Sequence, residues 1–378
     1  MKILITGGSG FIGSNLALKL IDAGHEITVL DNLSEQIHGN TPEISSPLYL
    51  GIKDKVRFIK GTVTVEADWR AALVGQDAVV HLAAETGTGQ SMYEIRRYVD
   101  VNIGGTALLL DLLAGGEFSA VKKVVVASSR SIYGEGKYFS EALGVIYPGA
   151  RKEEDMRAGR FDLLCPVSGL PLTLLATDED SKIHPSSVYG ITKQNQEQMV
   201  LTVCGSLGIG ATALRYQNVY GPGQSLSNPY TGILSIFSTR IKNNNGISIF
   251  EDGKESRDFV FIDDVVDATI LALTKDEANS AVFGIGSGVA TDVLTVAQTL
   301  AKHYGADVSI AVTGAYRIGD IRHNFADLKK SSEILKFLPK VDFDSGIKRF
   351  VDWVNLQAVQ VDTYEESLLE MKRRGLFK

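Results

Sequence analysis

The stretch Gly7-Gly8-Ser9-Gly10-Phe11-Ile12-Gly13 determines how the rest of this sequence is interpreted. It follows an apolar run, Lys2–Thr6, that predicts a strand, and it opens an amphipathic run that predicts a helix. Glycines spaced three residues apart allow a tight turn and let the backbone approach a pyrophosphate closely. The free N–H groups and positive end of the helix then bind that anion. The stretch therefore predicts a dinucleotide-binding turn.

The same alternation of apolar and amphipathic runs continues along the first half of the chain. β-branched apolar runs separated by helical patterns predict parallel strands covered on both faces. We therefore expect an α/β fold with a doubly wound parallel (Rossmann) sheet. The predicted strands are residues 2–6, 27–30, 56–59, 78–82, 124–127 and 211–214, and the predicted helices are 13–23, 68–73, 92–113 and 188–207.

The rhythm changes after residue 216, where glycine, proline and asparagine become frequent. Helical patterns return at 263–274, 291–304, 327–337 and 344–356, which predicts a smaller mixed α/β substrate domain. We assign residues 1–217 to the dinucleotide-binding domain, with returning segments 258–287 and 316–326. Residues 218–257, 288–315 and 327–378 form the substrate domain. Residues 135–180 are long for a loop, so we expect a function or structure of their own, and residues 362–378 predict a charged surface helix or a frayed tail.

Composition narrows the functional classes. The 378 residues are 44% apolar and 22% charged, as in ordinary globular proteins, with a formal net charge of −7. That charge gives no support for binding nucleic acid or an anionic membrane. No apolar run reaches the ~18 residues of a membrane span, and a strand at the very start leaves no room for a signal peptide. Two cysteines exclude a disulfide framework, so we expect a cytoplasmic protein.

Asp31 ends the second predicted strand, where an adenosine ribose would lie. Its carboxylate can accept both ribose hydroxyls and would repel a 2′-phosphate. No arginine follows directly, since the next residues are Asn32 and Leu33. The sequence therefore favours NAD over NADP as the cofactor.

Tyr189 and Lys193 are four residues apart on a predicted helix and so lie on one face. A tyrosine with its ordinary pKa is a poor base, and lowering that pKa from about 10 to about 7 needs about 4 kcal/mol. A neighbouring ammonium and an oxidised nicotinamide can supply this. Ser128 and Ser129 follow the strand 124–127, whose carboxyl end faces the ligand crevice. These residues predict proton transfer at a substrate oxygen.

Taken together, the sequence resembles the extended short-chain dehydrogenase/reductase family, and within it the nucleotide-sugar epimerases and dehydratases. The motifs are GGSGFIG, Asp31-Asn32-Leu33, His81-Leu82-Ala83-Ala84, Ser128-Ser129, Tyr189-xxx-Lys193 and Arg257-Asp258-Phe259-Val260. The resemblance implies Ser129, Tyr189 and Lys193 as catalytic residues. It implies cofactor contacts at Gly7, Gly10, Phe11, Ile12, Gly13, Asp31, Asn32, Thr62, Val63, Leu82, Ala83, Ala84, Asn102, Ser128, Tyr189 and Lys193. It implies contacts to a nucleotide-diphosphate sugar at Thr86, Ser131, Asn218, Arg257, Arg317 and Asp320.

The sequence also departs from that pattern. The family's 4,6-dehydratases place Asp-Glu after the catalytic hydroxyl residue, whereas this chain has Arg130 and Ser131. Neither is an effective acid–base pair for eliminating water, which favours 4-epimerisation through a transient 4-keto sugar. The alternatives are an NAD(P)H-dependent reductase of a 4-keto nucleotide sugar, a 4,6-dehydratase and a non-catalytic dinucleotide sensor. The usual acidic residue after Gly61 is Thr62, and the usual aromatic before Asn218 is Gln217.

A finer resemblance concerns residues 85–95, 127–136, 227–232 and the insert around Cys165. These stretches are most similar to those of dTDP-L-rhamnose 4-epimerases, and the next most similar group is the UDP-glucose 4-epimerases. The insert offers one thiolate where a structural zinc needs four ligands, so no metal is expected. The family resemblance also implies a homodimer through the helices 92–113 and 188–207.

Overall fold

The computed structural model describes residues 1–226, 228 and 232–378. The stretch 227–232, one of those on which the finer resemblance depends, therefore lies partly outside the described residues. Within the described chain, no helix combines the length and the apolar character that crossing a membrane requires.

A parallel sheet of seven strands forms the centre of the described chain. The strands carry little besides apolar residues because helices cover both faces of the sheet. Numbered along the chain, the strands are β1 (Lys2–Thr6), β2 (Glu26–Asp31), β3 (Arg57–Lys60), β4 (Ala78–His81), β5 (Lys123–Ser129), β6 (Gly210–Tyr216) and β7 (Ala281–Ile285). They lie side by side in the order β7-β6-β5-β4-β1-β2-β3. From β1 the chain first adds strands on one side and then, from β4, on the other, and this change leaves a crevice at the carboxyl ends of β1 and β4. This arrangement confirms the predicted fold class.

Two apolar cores lie on the two faces of this sheet. On one face, Leu16 and Leu20 pack with Val265 of the helix Ile262–Thr274. On the other, Trp69, Leu109 and Val200 come from three different helices. The described helices of the sheet domain are Phe11–Asp22, Glu35–His38, Pro42–Ser45, Pro47–Ile52, Glu66–Leu73, Thr88–Ser91, Ile95–Tyr98, Gly105–Ala114, Val188–Ser206 and Ile262–Thr274, with 3₁₀ turns Arg130–Tyr133 and Asp276–Ala278.

The helix predicted over 92–113 runs from Ile95 to Ala114 and contains a π-helical turn. This turn, Val99–Gly104, separates Ile95–Tyr98 from Gly105–Ala114. In that turn Asn102 points inward, where its amide accepts from Glu85 N at 2.7 Å and donates to Glu85 O at 3.1 Å. A π turn places one extra residue in the turn and so re-aims its side chains, here toward a distant loop.

Two other predicted helices also begin or form differently. The helix predicted from residue 291 begins at Val293, because Asp292 caps it by accepting from Thr295 N at 2.7 Å. The helix predicted over 327–337 is a short π turn, Ser331–Leu335.

The described part of the second half adds small sheets and four longer helices beside the main sheet. Pairs form between Asn218–Tyr220 and Phe259–Phe261 and between Ile247–Ile249 and Ile310–Val312, and a three-stranded sheet joins Thr291–Asp292, Ser256–Arg257 and His323–Asn324. The helices are Ile233–Lys242, Val293–Tyr304 and Phe343–Asn355, followed by Tyr364–Arg373. The predicted domain boundaries remain a prediction.

The insert 135–180 has structure of its own. Strands Tyr138–Ser140, Gly144–Ile146 and Thr173–Leu174 form an antiparallel sheet, and Glu153–Arg157 is helical. Arg322, which is fully buried, donates to Asp162 of the insert at 2.7 Å and to Glu251 at 3.0 Å. Arg151 of the insert also donates to both oxygens of Glu251 at 2.8 Å. Buried charged hydrogen bonds thus hold the insert against the second half of the chain.

Candidate active site

A cavity of about 670 Å³ opens at the carboxyl ends of the central strands. Every predicted site residue except Asn102 lines it. Asn102 lies behind the cavity wall, where its amide also donates to Thr192 Oγ1 at 2.9 Å. Both ends of the Asn102 amide are engaged by protein groups, and the cofactor contact predicted for this residue stays a prediction.

The glycine stretch forms a cradle that only glycine can form. Gly7 has φ +66°, and a Cβ there would lie 2.9 Å from Ala83 N. A Cβ on Gly13 would lie 2.6 Å from Gly8 Cα and closer still to Gly7 O. The absence of side chains leaves space and free helix N–H groups directly above β1, which fits a pyrophosphate.

Asp31 is buried at the end of β2 and lines the cavity. Its carboxylate accepts from Ser9 N at 2.9 Å and from Leu33 N at 2.8 Å. Burial raises the pKa of Asp31, and these two N–H groups and His38, 4.0 Å away, oppose that rise. His38 is a neighbour that the sequence pattern did not reveal. The carboxylate is thus fixed next to the glycine turn, where a ribose diol would accompany the pyrophosphate.

Thr62 takes the place of an acidic residue after β3. Its N–H donates to Asp68 Oδ2 at 2.8 Å, and Asp68 comes from the helix Glu66–Leu73. Val63, which also lines the cavity, packs against Gly105. The carboxylate near this position therefore holds the backbone rather than facing the cavity.

Tyr189, Lys193 and Ser129 all line the cavity. Ser187 caps the helix Val188–Ser206 by accepting from Gly190 N at 3.1 Å, which fixes the register of the first turn. Lys193 Nζ donates to Ala127 O at 3.0 Å. Burial lowers the pKa of Lys193 to about 7. Burial raises the pKa of Tyr189, while a hydrogen bond with Ser129 and the charge of Arg130 oppose that rise.

The serines beside Ser129 have different partners. Ser131 N donates to Ser129 Oγ at 3.1 Å, which orients that hydroxyl. Ser128 lines the cavity, but its hydroxyl donates to Glu197 at 2.6 Å, away from a ligand. Glu197 in turn pairs with buried Arg215. Ser128 thus contributes to the cavity surface, while Ser129 presents the adjustable hydroxyl.

Three arginines line the cavity beyond the tyrosine. Arg130 Nε donates to Asn218 Oδ1 at 2.9 Å. Arg257 donates to the carbonyl oxygens of Ile321 at 2.7 Å and Arg322 at 3.0 Å. Arg317 pairs with Asp320 at 2.7 Å. Burial raises the pKa of Asp320, but Arg317 and Arg257 outweigh it and hold that pKa below its ordinary value. A concentration of guanidinium groups in an acidic protein fits an anionic diphosphate.

Sequence reasoning missed two parts of this cavity. It used Arg130 only to argue against elimination, although the side chain lies among the cavity arginines. It also treated the chain after residue 362 as surface, whereas Tyr364, Leu368 and Met371 line the cavity. Spacing of four and three between these apolar residues is the signal that could have revealed this helix face.

A glycine cradle, a carboxylate at the end of β2 and a Tyr-xxx-Lys pair in one crevice define a dinucleotide-binding α/β protein of the short-chain dehydrogenase/reductase type. The NAD dependent epimerase/dehydratase family matches residues 3–150 and 169–286. The chain belongs to this family. The predictions of the family, of an enzyme and of NAD as its cofactor are confirmed.

Individual relatives cover nearly the whole chain. It is 38% identical over 356 residues to a dTDP-L-rhamnose 4-epimerase of Burkholderia thailandensis, covering 93% of this chain and 94% of the relative. The solved UDP-glucose 4-epimerase of Thermotoga maritima, with UDP-glucose, is 30% identical with a TM-score of 0.75, covering 94% and 99% of the two chains. The UDP-glucuronic acid 4-epimerase of Bacillus cereus, with UDP-glucuronic acid and NAD, is 25% identical with a TM-score of 0.74 and the same coverage.

Proposed function

We propose that this protein is an NAD-dependent nucleotide-sugar 4-epimerase whose substrate is dTDP-L-rhamnose or a close dTDP-6-deoxyhexose. The observation that carries the proposal is the 38% identity with a dTDP-L-rhamnose 4-epimerase across both chains. The cavity residues supply the groups that the reaction requires.

The cofactor side of the cavity is the glycine cradle and Asp31. The backbone N–H groups after Gly10 bind the pyrophosphate, and Asp31 accepts the ribose hydroxyls. Bound NAD supplies a reversible acceptor for a hydride. Lys193 lies where its ammonium can donate to the nicotinamide ribose, and this contact with NAD replaces solvation that the buried amine lacks.

Proton transfer falls to Tyr189. Its phenolate would remove the proton of the C4 hydroxyl as the C4 hydride leaves to bound NAD. When the same hydride is delivered to the other face of C4 in the rotated 4-keto sugar, Tyr189 would return the proton to the C4 oxygen. Ser129, oriented by Ser131 N at 3.1 Å, donates to the same sugar oxygen. General acid–base catalysis of this kind contributes ~10²- to 10⁴-fold in rate.

The diphosphate lies against Asn218, Arg257 and Arg317, with Asp320 holding Arg317 in place. Thr86 and Ser131 line the sugar end. Arg130 and Ser131 stand where an elimination would need an acid and a base, so the 4-keto sugar keeps its C6 substituent and returns to the alcohol. This arrangement favours epimerisation over dehydration.

The decisive experiment follows C4 stereochemistry by proton NMR. The purified protein, without added cofactor, is incubated separately with dTDP-L-rhamnose, UDP-galactose and UDP-N-acetylglucosamine. Inversion of dTDP-L-rhamnose alone is the expected result. Inversion of a UDP sugar would change the substrate, and turnover only of 4-keto sugars with NADH or NADPH would establish a reductase.

The protein is also proposed to be a homodimer through the helical segments 92–113 and 188–207. Large apolar side chains on these segments are exposed, with Met92 at 45%, Ile95 at 51% and Ile191 at 45%. Such a patch is expected to be covered by a symmetry-related copy. Sedimentation should give a dimer that Ile95→Glu dissociates, and a wild-type monomer would refute it. Cys165 and Cys204 are both free, which supports a cytoplasmic setting.

A further inference from the structure

The C-terminal segment, residues 364–378, lies across the cavity. Its helix, Tyr364–Arg373, buries Tyr364 and Leu368 on one face. The residues of this segment that line the cavity are Tyr364, Ser367, Leu368, Met371 and Leu376. The segment lies beyond residue 286, where the family match ends. It is therefore a wall that the family's common motifs do not specify.

This segment is attached on both sides of the cavity. On one side, Lys378 N donates to Tyr316 O at 3.0 Å and Ile318 N donates to Leu376 O at 2.9 Å. The ring of Phe377 also packs on that of Phe250 with centroids 5.0 Å apart. On the other side, the Arg374 guanidinium lies 3.9 Å from the ring centroid of Tyr93. Two separate anchors place the helix over the cavity rather than beside it.

A line of neighbouring residues leads from the reacting centre to this segment. Tyr189 neighbours Arg130, and Arg130 binds Asn218. Arg257 and Arg317 both face Asp320. Arg317 then lies 5.5 Å from the ring centroid of Phe250. A nucleotide sugar is linear, with the diphosphate between the sugar and the nucleoside, so the surface beyond Arg317 faces the nucleoside.

We propose that residues 364–378 form a wall of the nucleoside-binding pocket, where Met371, Leu376 and Phe250 surround the base and ribose. This assignment rests on the proposed nucleotide-sugar substrate. Apolar side chains beside an aromatic ring suit a planar base, whose faces are apolar. Lys372 and Arg373, at the end of the helix, are exposed.

The test uses the full-length double variant Met371→Ala/Leu376→Ala, with Leu369→Ala as matched control, because Leu369 is on the same helix and 54% exposed. We expect dTDP to bind about tenfold more weakly to the double variant by calorimetry, and KM for the epimerised sugar to rise similarly. The double variant should keep its bound NAD and its kcat, and Leu369→Ala should keep the wild-type affinity for dTDP. Unaltered dTDP affinity in the double variant would overturn the inference.

A second variant covers the case in which the double variant unfolds. Met371→Trp adds volume at the same wall and should block dTDP while leaving NAD bound, and normal dTDP binding there also overturns the inference. Because dTDP binding is measured without turnover, the nucleoside-pocket proposal and the epimerase proposal can be refuted independently. Loss of dTDP binding in a protein that inverts no sugar would refute epimerisation alone.

Discussion

Arg130 Nε donates a 2.9 Å hydrogen bond to Asn218 Oδ1, which joins the end of β5 to the strand Asn218–Tyr220 across the cavity. Within the described residues, neither Nη atom of Arg130 has a hydrogen-bond partner. Burial and the nearby Arg257 lower the pKa of Arg130 to about 9, so it stays charged at neutral pH. The bond to Asn218 thus aims a cation at the space between Tyr189 and the other arginines.

Replacing Arg130 with Met should lower kcat/KM about 100-fold, because the cation beside Tyr189 is lost from the reacting centre. The acidic limb of the pH–rate profile should also move to higher pH, since the Arg130 cation opposes the rise in the pKa of Tyr189. Arg130→Lys keeps a positive charge, so its pH–rate profile should stay close to that of the wild type even though its kcat/KM falls. An unchanged pH–rate profile in Arg130→Met would show that the charge of Arg130 does not affect the pKa of Tyr189.

Tyr189→Phe removes the proposed proton-transfer group with little change in shape. We expect kcat to fall by about 10³-fold while the nucleotide content of the purified protein stays the same. Epimer ratios measured by NMR over time give the rate. Tyr49→Phe is the control, since Tyr49 packs on Phe58 with centroids 4.8 Å apart, far from the reacting centre. Substantial activity in Tyr189→Phe would assign the base to another residue.

Gly13→Ala should abolish NAD retention. The added methyl would lie 2.6 Å from Gly8 Cα, so the turn must open and its N–H groups must move. Denaturing the purified protein and quantifying the released NAD by chromatography measures this directly. Gly51→Ala is the matched control, because a Cβ there meets nothing within 4 Å. Equal NAD in both variants would show that the turn does not bind the pyrophosphate.

Glu255→Gln should stabilise the protein above neutral pH. Burial, with the charge of Glu251, raises the pKa of Glu255 to about 7, and its Oε2 is buried without a hydrogen-bond partner among the described residues. Because the pKa of this carboxyl is higher in the folded protein than in the unfolded chain, the folded protein loses stability as the pH rises from about 4.5 to about 7.

At pH 8 the gain from Glu255→Gln should be on the order of 2 kcal/mol in unfolding free energy, and near zero at pH 4.5. Denaturant titrations at the two pH values measure it. Glu277→Gln, at an exposed position, should change neither value. Equal gains at both pH values would mean that ionisation of Glu255 is not the cause.

Local patterns predicted the central sheet well. β1 spans Lys2–Thr6, the same residues that the apolar run indicates, because strands covered on both faces leave a continuous apolar signal. The glycine turn was equally clear, since only glycine permits its backbone. The π turn Val99–Gly104 was not predictable from periodicity, because it accompanies a contact of Asn102 with Glu85, seventeen positions away.

The site divides in the same way. Tyr189 and Lys193 share a helix, so spacing alone predicts their common face. Ser128 and Ser129 are adjacent, and only the tertiary position of Glu197 decides that one hydroxyl is engaged. The wall formed by Met371 and Leu376 depends on how the end of the chain returns to Tyr316, which no local pattern encodes.

The buried Arg322 also limits how this protein can be recombined with its relatives. Its guanidinium donates hydrogen bonds to the carboxylates of Asp162 in the insert and Asp252 in the second half, each at 2.7 Å. A chimera that exchanges residues 135–180 alone would also remove Arg151, which pairs with Glu251 at 2.8 Å with both side chains buried. Breaking a buried pair of this kind costs about 3–5 kcal/mol. The transferable module is the insert together with residues 251–255 and Arg322.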